Sequence, residues 1–148
     1  MDLRLELIPL PSTDVDASKE FYVDRVGFRL DHDVEPGNGM RVVQLTPPGS
    51  SCSVVLGIGV GSPGAGPVKG LHLVVDDIEA AREDLVARGV DVSEVYHDAG
   101  GVFEHAGTGH RLPGPDPNRT SYSSFASFND PDGNRWVLQE ITERLPGR

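Results

Sequence analysis

The feature that most constrains the fold is an internal repeat. Sliding the 148-residue chain along itself by 63 positions lays Asp14-Val15-Asp16-Ala17-Ser18-Lys19-Glu20 over Asp77-Ile78-Glu79-Ala80-Ala81-Arg82-Glu83, each pair identical or chemically similar. The same register puts Tyr22 on Leu85, Val23 on Val86 and Arg25 on Arg88, and a one-residue gap brings Gly27 onto Gly89. A chain built from two copies of one unit must give each copy the same order of elements, and that removes most alternative topologies.

Each copy reads as one amphipathic helix flanked by strands. Asp14 and Asp77 stand where a carboxylate can accept from the unpaired N–H groups of a first turn and oppose the positive end of the helix dipole. Apolar residues recur at helical spacing at Val15, Tyr22 and Val26, and again at Ile78, Ala81 and Leu85. Gly27 and Gly89 suit a left-handed stop. A strand is expected before each helix, over Leu3 to Leu10 and Leu71 to Val75. Three are expected after each: Phe28 to His32, Arg41 to Thr46 and Cys52 to Leu56, then Val92 to Tyr96, Ser124 to Asn129 and Trp136 to Ile141. Between the copies, residues 57–70 are rich in glycine with Pro63 and Pro67, a linker composition. The reading is one α+β domain over residues 1–148, with module one at 1–66 and module two at 67–148, each a βαβββ unit.

Composition narrows the partners. With 23 acidic against 13 basic side chains the formal charge is −10, and such a surface repels nucleic-acid phosphates and anionic lipid headgroups. Neither nucleic acid nor membrane is expected as a partner. A hydrophobic fraction of 37% and a charged fraction of 24% are ordinary for a globular protein. Cys52 is the single cysteine, so a disulfide within the chain and a multi-cysteine zinc site are excluded, and a reducing cytoplasm is the expected location. The first ten residues carry Arg4 and Glu6, unlike a signal peptide, and no apolar run is long enough to span a bilayer. Phosphate loops, nucleophile elbows and paired histidines at helical spacing are missing, and the glycines near Gly57 lack the following helix of a dinucleotide fold.

Two motifs carry a resemblance. Asp14-x-x-x-Ser18-x-x-Phe21-Tyr22 with Val26-Gly27-Phe28, and Phe128-Asn129-Asp130-Pro131-Asp132-Gly133-Asn134 before a final strand, resemble the vicinal oxygen chelate superfamily, which includes glyoxalase I, extradiol dioxygenases, and fosfomycin- and bleomycin-resistance proteins. The resemblance covers the whole chain. It implies a mixed sheet curled around a cavity, a homodimer, and a metal held by side chains from the first and last strands of each unit. The second motif also has a purely structural meaning: Pro131 and Gly133 supply the backbone angles of a tight turn, and Asp130, Asp132 and Asn134 can bond its amides.

At the positions where that family carries metal ligands, this chain has Leu7, Gly70 and Val137, and no Asp or Glu occurs between Glu35 and Asp76. A divalent cation needs several convergent donors, so no cofactor is expected; the alternative is a divalent metal at a non-standard site. His72 and Gln139 lie two residues beyond vacant positions, so strand alternation puts them on the same faces as the missing ligands. His72 is either a cavity residue or a satisfied core histidine on an apolar strand. Glu140 should turn away from Gln139 and read as a surface or interface residue.

The stretch from Asp98 to Thr120 has little periodicity and reads either as a lid or as a solvated loop. It carries His97, Phe103, Glu104, His105, His110 and Arg119; as a lid it would offer Phe103 as an apolar face and His105 for hydrogen bonding or proton transfer. Tyr122 is a pocket candidate, and Gln44 with Arg41 would face His72 and Gln139 across a pseudo-twofold. Three functions follow. The first is a metal-free small-molecule binder resembling the bleomycin-resistance group, whose acidic chain favours a cationic or neutral ligand. The second is a lyase, isomerase or dioxygenase using relocated metal ligands or a metal-free acid–base pair drawn from His72, His105 and Gln139; His72 and His105 are the catalytic candidates, and Gln44, Phe103, Tyr122 and Gln139 the small-molecule contacts under either reading. The third is an interaction protein with a vestigial pocket.

Overall fold

Asp14 and Asp77 do start the two helices. The fold is that of a computed structural model, described for residues 1–100 and 104–147. Asp14 Oδ1 accepts from the amide of Ala17 at 3.1 Å, and Asp77 Oδ1 accepts from Glu79 and Ala80 at 3.0 and 3.1 Å. Both aspartates are extended in backbone, as a cap requires. The first helix, α1, spans Val15–Glu20 and continues as a π-helical turn over Phe21–Val26, closed by Gly27 at φ 91°. The second, α2, spans Ile78–Ala87.

The architecture is α+β, with one sheet in each of two units. The first unit comprises Met1–Lys69 together with Asp130–Asn134, and the second Gly70–Asn129 with Arg135–Arg148. In the first, β1 (Leu7–Pro9), β2 (Arg29–Gly37), β3 (Met40–Thr46) and β4 (Ser53–Ile58) form a sheet in the order β1-β4-β3-β2, with β1 parallel to β4 and the rest antiparallel. Arg41 reaches Asp16 of α1 at 2.8 Å, so period-two alternation puts Val43 and Leu45, both fully buried, on the helix side. Phe21, Tyr22 and Phe28 complete that core, with Tyr22 and Phe28 stacked at 5.2 Å. Gly57 has no substitute on β4, because a Cβ there would lie 1.8 Å from the Arg41 carbonyl oxygen.

In the second unit, β5 (Lys69–Val75), β6 (Tyr96–Asp98), β7 (Arg111–Pro113), β8 (Ser124–Asn129) and β9 (Arg135–Glu140) are ordered β5-β9-β8-β6-β7. Trp136, Leu138 and Glu140 of β9 face α2, while Arg135, Val137 and Gln139 face the other way; Glu140 Oε2 accepting from the Ile78 amide at 2.9 Å fixes this assignment.

Several sequence expectations need correction. The strand expected over Leu3 to Leu10 is confined to Leu7–Pro9, and the one expected over Phe28 to His32 runs from Arg29 to Gly37, where it pairs with β3 along its length. The strand expected over Val92 to Tyr96 begins only at Tyr96. Val92 and Val95 are buried as their apolar character demands, but Arg82 takes the Ser93 and Val92 carbonyls at 2.7 and 3.4 Å, and Ser93 Oγ accepts from the Ser127 amide. A guanidinium and a hydroxyl thus take part of the bonding that a ladder would supply, while the Ser93 amide still donates to the Ser127 carbonyl at 2.8 Å. Within the expected loop, three residues form β7, too short a strand to show a period. Glu140 turns to the helix side as alternation requires, yet it is 2% exposed rather than a surface residue, because it caps α2 and pairs with Arg119 at 2.5 and 2.9 Å.

The turn motif is the knot of the first unit. Asp130 Oδ1 accepts from the Asp132 and Asn134 amides, both at 2.9 Å, while Oδ2 accepts from the Tyr22 hydroxyl at 2.6 Å and the Asn134 carboxamide at 2.7 Å. Asn134 then donates to the Pro11 carbonyl and accepts from the Val68 amide. Asp132 accepts from the Thr13 amide and hydroxyl at 2.9 and 2.7 Å. Replacing Asp130 by Ala removes one buried acceptor shared by four donors, an expected cost of about 2–4 kcal/mol. Thermal unfolding followed by circular dichroism should show a loss of roughly 5–15 °C. A loss under about 2 °C would mean that the turn is held by something else.

Candidate functional site

Each sheet has a face turned away from its helix, and these faces carry most of the chemistry. On the first sheet, Val42, Gln44 and Thr46 of β3 alternate with the buried helix-side residues, and Gln44 stands opposite Val55 on β4 and His32 on β2. Ser53, Thr46 and Asp31 form a hydroxyl-to-carboxylate chain: Thr46 and Ser53 share a 2.7 Å bond, and Thr46 donates to Asp31. That Thr46 bond, aided by Arg29, holds the Asp31 carboxyl below the usual range. The face is therefore apolar at Val34, Val42 and Val55, with an amide, an exposed imidazole and an ionised carboxylate set among them.

On the second sheet the corresponding face is covered. Tyr96, Phe125 and Val137 form a buried cluster, with the Tyr96 and Phe125 rings stacked at 5.7 Å. Glu104 reaches over it. Its Oε1 accepts from Arg135 at 2.7 Å and from the Tyr96 hydroxyl, and lies 3.6 Å from Arg111, whose guanidinium sits 4.0 Å over the Tyr96 ring. Burial alone would raise the Glu104 carboxyl, but the bonds from Arg135 and Tyr96 outweigh it and keep the group below its ordinary value. Burial and the neighbouring carboxylate push the Tyr96 hydroxyl up to about 12, so it remains a donor at neutral pH.

Two further places belong to the second unit. Asp98, buried on β6, accepts from the Gly100 and His105 amides at 2.7 and 3.1 Å and is bonded to His105 Nδ1. His105, its side chain 51% exposed, stacks on His110 at 4.2 Å. Burial favours the neutral Asp98, yet the Gly100 and His105 bonds together hold it ionised. An ionised carboxylate bonded to one imidazole nitrogen orients the ring and leaves Nε2 outward, an arrangement suited to moving a proton. A cleft of about 460 Å³ lies between residues 118–122 and 142–146. Arg119 and Tyr122 on its wall hold positive φ values of 52° and 74°, a conformation costly for residues with a Cβ.

The candidates read from sequence are placed as follows. Gln139 and Tyr122 come together, with the Gln139 amide donating to the Tyr122 carbonyl at 3.1 Å and both residues buried. The Tyr122 hydroxyl accepts from the Leu145 amide. Gln44 is half-buried on the helix-free face of the first sheet. His72 is exposed on β5, its Nδ1 2.7 Å from the Gly70 carbonyl oxygen, rather than packed in a core. His105 is paired with Asp98 and His110, and no bond joins it to His72. Phe103 lies outside the described residues. Among the described residues no group of three or more His, Cys, Asp or Glu side chains is arranged to hold a metal ion, and no helix is long and apolar enough to cross a membrane. Sequence reasoning did not single out Arg111, Arg135 or Asp98. Arg135 could have been found, because the alternation that places Gln139 also places Val137 and Arg135 on the same face.

Comparison with known proteins adds a context. The family described as Glyoxalase/Bleomycin resistance protein/Dioxygenase superfamily matches residues 4–138. Among solved structures, TnmS3, an antibiotic binding protein from Streptomyces sp. CB03234, is 31% identical, with 95% of this chain and 98% of that one covered at a TM-score of 0.65. A glyoxalase/bleomycin resistance protein from the same organism is 32% identical over 92% of this chain and 99% of its own, with a TM-score of 0.61. A superfamily member from Sphaerobacter thermophilus DSM 20745 is 25% identical over 94% and 98%, with a TM-score of 0.67. No curated protein sequence matches the chain.

Four buried or paired carboxylates, Asp33, Asp98, Glu104 and Glu140, are held below their ordinary values of 3.8 for Asp and 4.5 for Glu. A depressed folded value stabilises the fold above the unfolded value, and that stability is lost as pH falls through the folded value. The melting temperature should therefore show no loss from these groups between pH 7 and 5, then fall steadily below about pH 4.5. A melting temperature that stays constant down to pH 3 would contradict the pairing.

Proposed function

Since the chain belongs to the Glyoxalase/Bleomycin resistance protein/Dioxygenase superfamily, we propose that it binds a small, partly aromatic molecule of antibiotic type against a helix-free sheet face, without the metal chemistry of the enzymes in that superfamily. The observation that carries this reading is the first sheet's open face, where Val34 and Val42 surround the Gln44 amide and the His32 imidazole. Such a surface gives area to an apolar ligand and a few polar groups to orient it. The likeness to an antibiotic binding protein over almost the whole of both chains supports it.

The family's metal does not fit the residues present. Leu7, Gly70 and Val137 offer no donor at its ligand positions, Glu140 is committed to Ile78 and Arg119, and among the described residues no group of three or more His, Cys, Asp or Glu side chains is arranged to hold a metal ion. The reading has the protein acting as a homodimer in the cytoplasm. The Asp98–His105 pair supports a second reading, an acid–base lyase or isomerase, in which His105 Nε2 would shuttle the proton.

Titrating the chain with a panel of aromatic antibiotics, neutral and cationic, should give at least one saturable rise in melting temperature of several degrees. Gln44→Ala should weaken the same compound about fivefold by calorimetry, one lost neutral hydrogen bond. A panel in which nothing shifts the melting temperature would sink the binding reading. Protein purified without a tag should hold less than stoichiometric metal, and Zn, Ni, Mn or Fe(II) should leave its melting temperature unchanged; a chelator-reversible rise would overturn the metal-free part.

A further inference from the structure

The Glu104 cluster has a charge imbalance that its own geometry does not resolve. Two guanidiniums and one phenol converge on a single carboxylate, and among the described residues these contacts are made through one oxygen, Oε1. Arg135 bonds that oxygen well at 2.7 Å and also donates to the Tyr96 hydroxyl at 3.2 Å. Arg111 does not: it stands off at 3.6 Å, and its buried Nε finds no hydrogen-bond acceptor among the described residues. A buried N–H without an acceptor is costly, and a guanidinium favours two parallel bonds to one carboxylate. The Glu104 side chain, 12% exposed, is therefore a serviceable but incomplete occupant of a site with more donors than it uses.

We infer that Arg111, Arg135 and Tyr96 form a binding subsite for a carboxylate group on a ligand, and that Glu104 is its internal occupant, displaced when such a ligand binds. Beneath the charged groups the Tyr96–Phe125 stack and Val137 are buried, so they form a fixed floor and leave contact with a ligand to the two guanidiniums and the Tyr96 hydroxyl. The ligand class is thus a small carboxylate with one negative charge, which takes the place of the Glu104 carboxylate like for like. A doubly charged phosphate is disfavoured by the chain's net charge of −10. The whole-chain charge pointed to a cationic or neutral ligand, and this local cluster reverses that expectation for one end of the molecule. The inference rests on the reading that the helix-free faces bind small molecules.

The test uses the full chain with benzoate as probe, at constant ionic strength against chloride. Glu104→Ala should melt several degrees lower than the wild type, and benzoate should restore that loss saturably where chloride does not. Adding Arg135→Met to Glu104→Ala should abolish the benzoate response. Glu104→Gln, which keeps the shape and removes the charge, should bind benzoate at least tenfold more tightly than the wild type by calorimetry; it keeps the question open to experiment if the alanine variant does not fold. The inference is overturned if benzoate acts no differently from chloride on Glu104→Ala, if the double variant responds equally, or if Glu104→Gln and the wild type bind benzoate alike. Benzoate rescue without any response to the antibiotic panel would keep the subsite and remove the antibiotic reading. Antibiotic binding without benzoate rescue would do the reverse.

Discussion

The first unit depends on the buried carboxylate of Asp130. A charge 6% exposed in a protein interior is costly unless its lone pairs are filled, and here two amides, a phenol and a carboxamide fill them. Each donor fixes a different piece of chain. The amides shape the turn, Tyr22 holds the π-helical end of α1, and Asn134 passes the connection to Pro11 and Val68. Asp132 adds Thr13, the residue just before the helix cap. Five residues from late in the sequence thereby become part of the unit built by the first 69. The requirement that buried polar groups be satisfied, more than any apolar contact, makes this turn a fixed motif.

Much of this was legible in the sequence because it follows from local rules. Asp14 and Asp77 could be assigned as caps since the cap preference arises from the four unpaired amides of any helix start. β3, β4 and β8 were found to within two residues from apolar runs. The turn residues of Asp130–Asn134 could be read from backbone chemistry, but their long-range partners could not, since nothing in a tight turn says which distant hydroxyl its carboxylate will accept. The strand expected over Val92 to Tyr96 failed for a related reason. Its apolar residues are buried as expected, but Arg82 takes the Val92 and Ser93 carbonyls, which a neighbouring strand would have bonded.

The candidate site was less legible. Alternation placed Gln139 and Glu140 on opposite faces of β9, and that holds. It could not say that Glu140 would be buried, because burial depends on Arg119, which lies in a segment without period and at a positive φ. Histidines drew attention to residues 97–110 by their chemistry, yet what organises that segment is carboxylates. Asp98 gathers the Gly100 and His105 amides, and Glu104 gathers Tyr96 and Arg135. In an acidic chain single carboxylates are too common to stand out by composition, so only their placement against cations distinguishes them.

The two copies of the repeat also differ in how they secure the helix start, and that difference bears on where chemistry can sit. In the first unit, the residues beside the cap of α1 are held by Asp132 through the exposed Thr13 and the buried Ser18. In the second, the α2 start is held from within its own sheet by Glu140 of β9, with Arg119 bridging Glu140, Glu79 and Asp77. Committing Glu140 to the helix side leaves the opposite face of β9 to Gln139, Val137 and Arg135. One side of the strand thus carries the structural anion, and the other presents a free choice of residues. On that side the chain has placed a cation beside an aromatic pair, a combination that packing alone does not require.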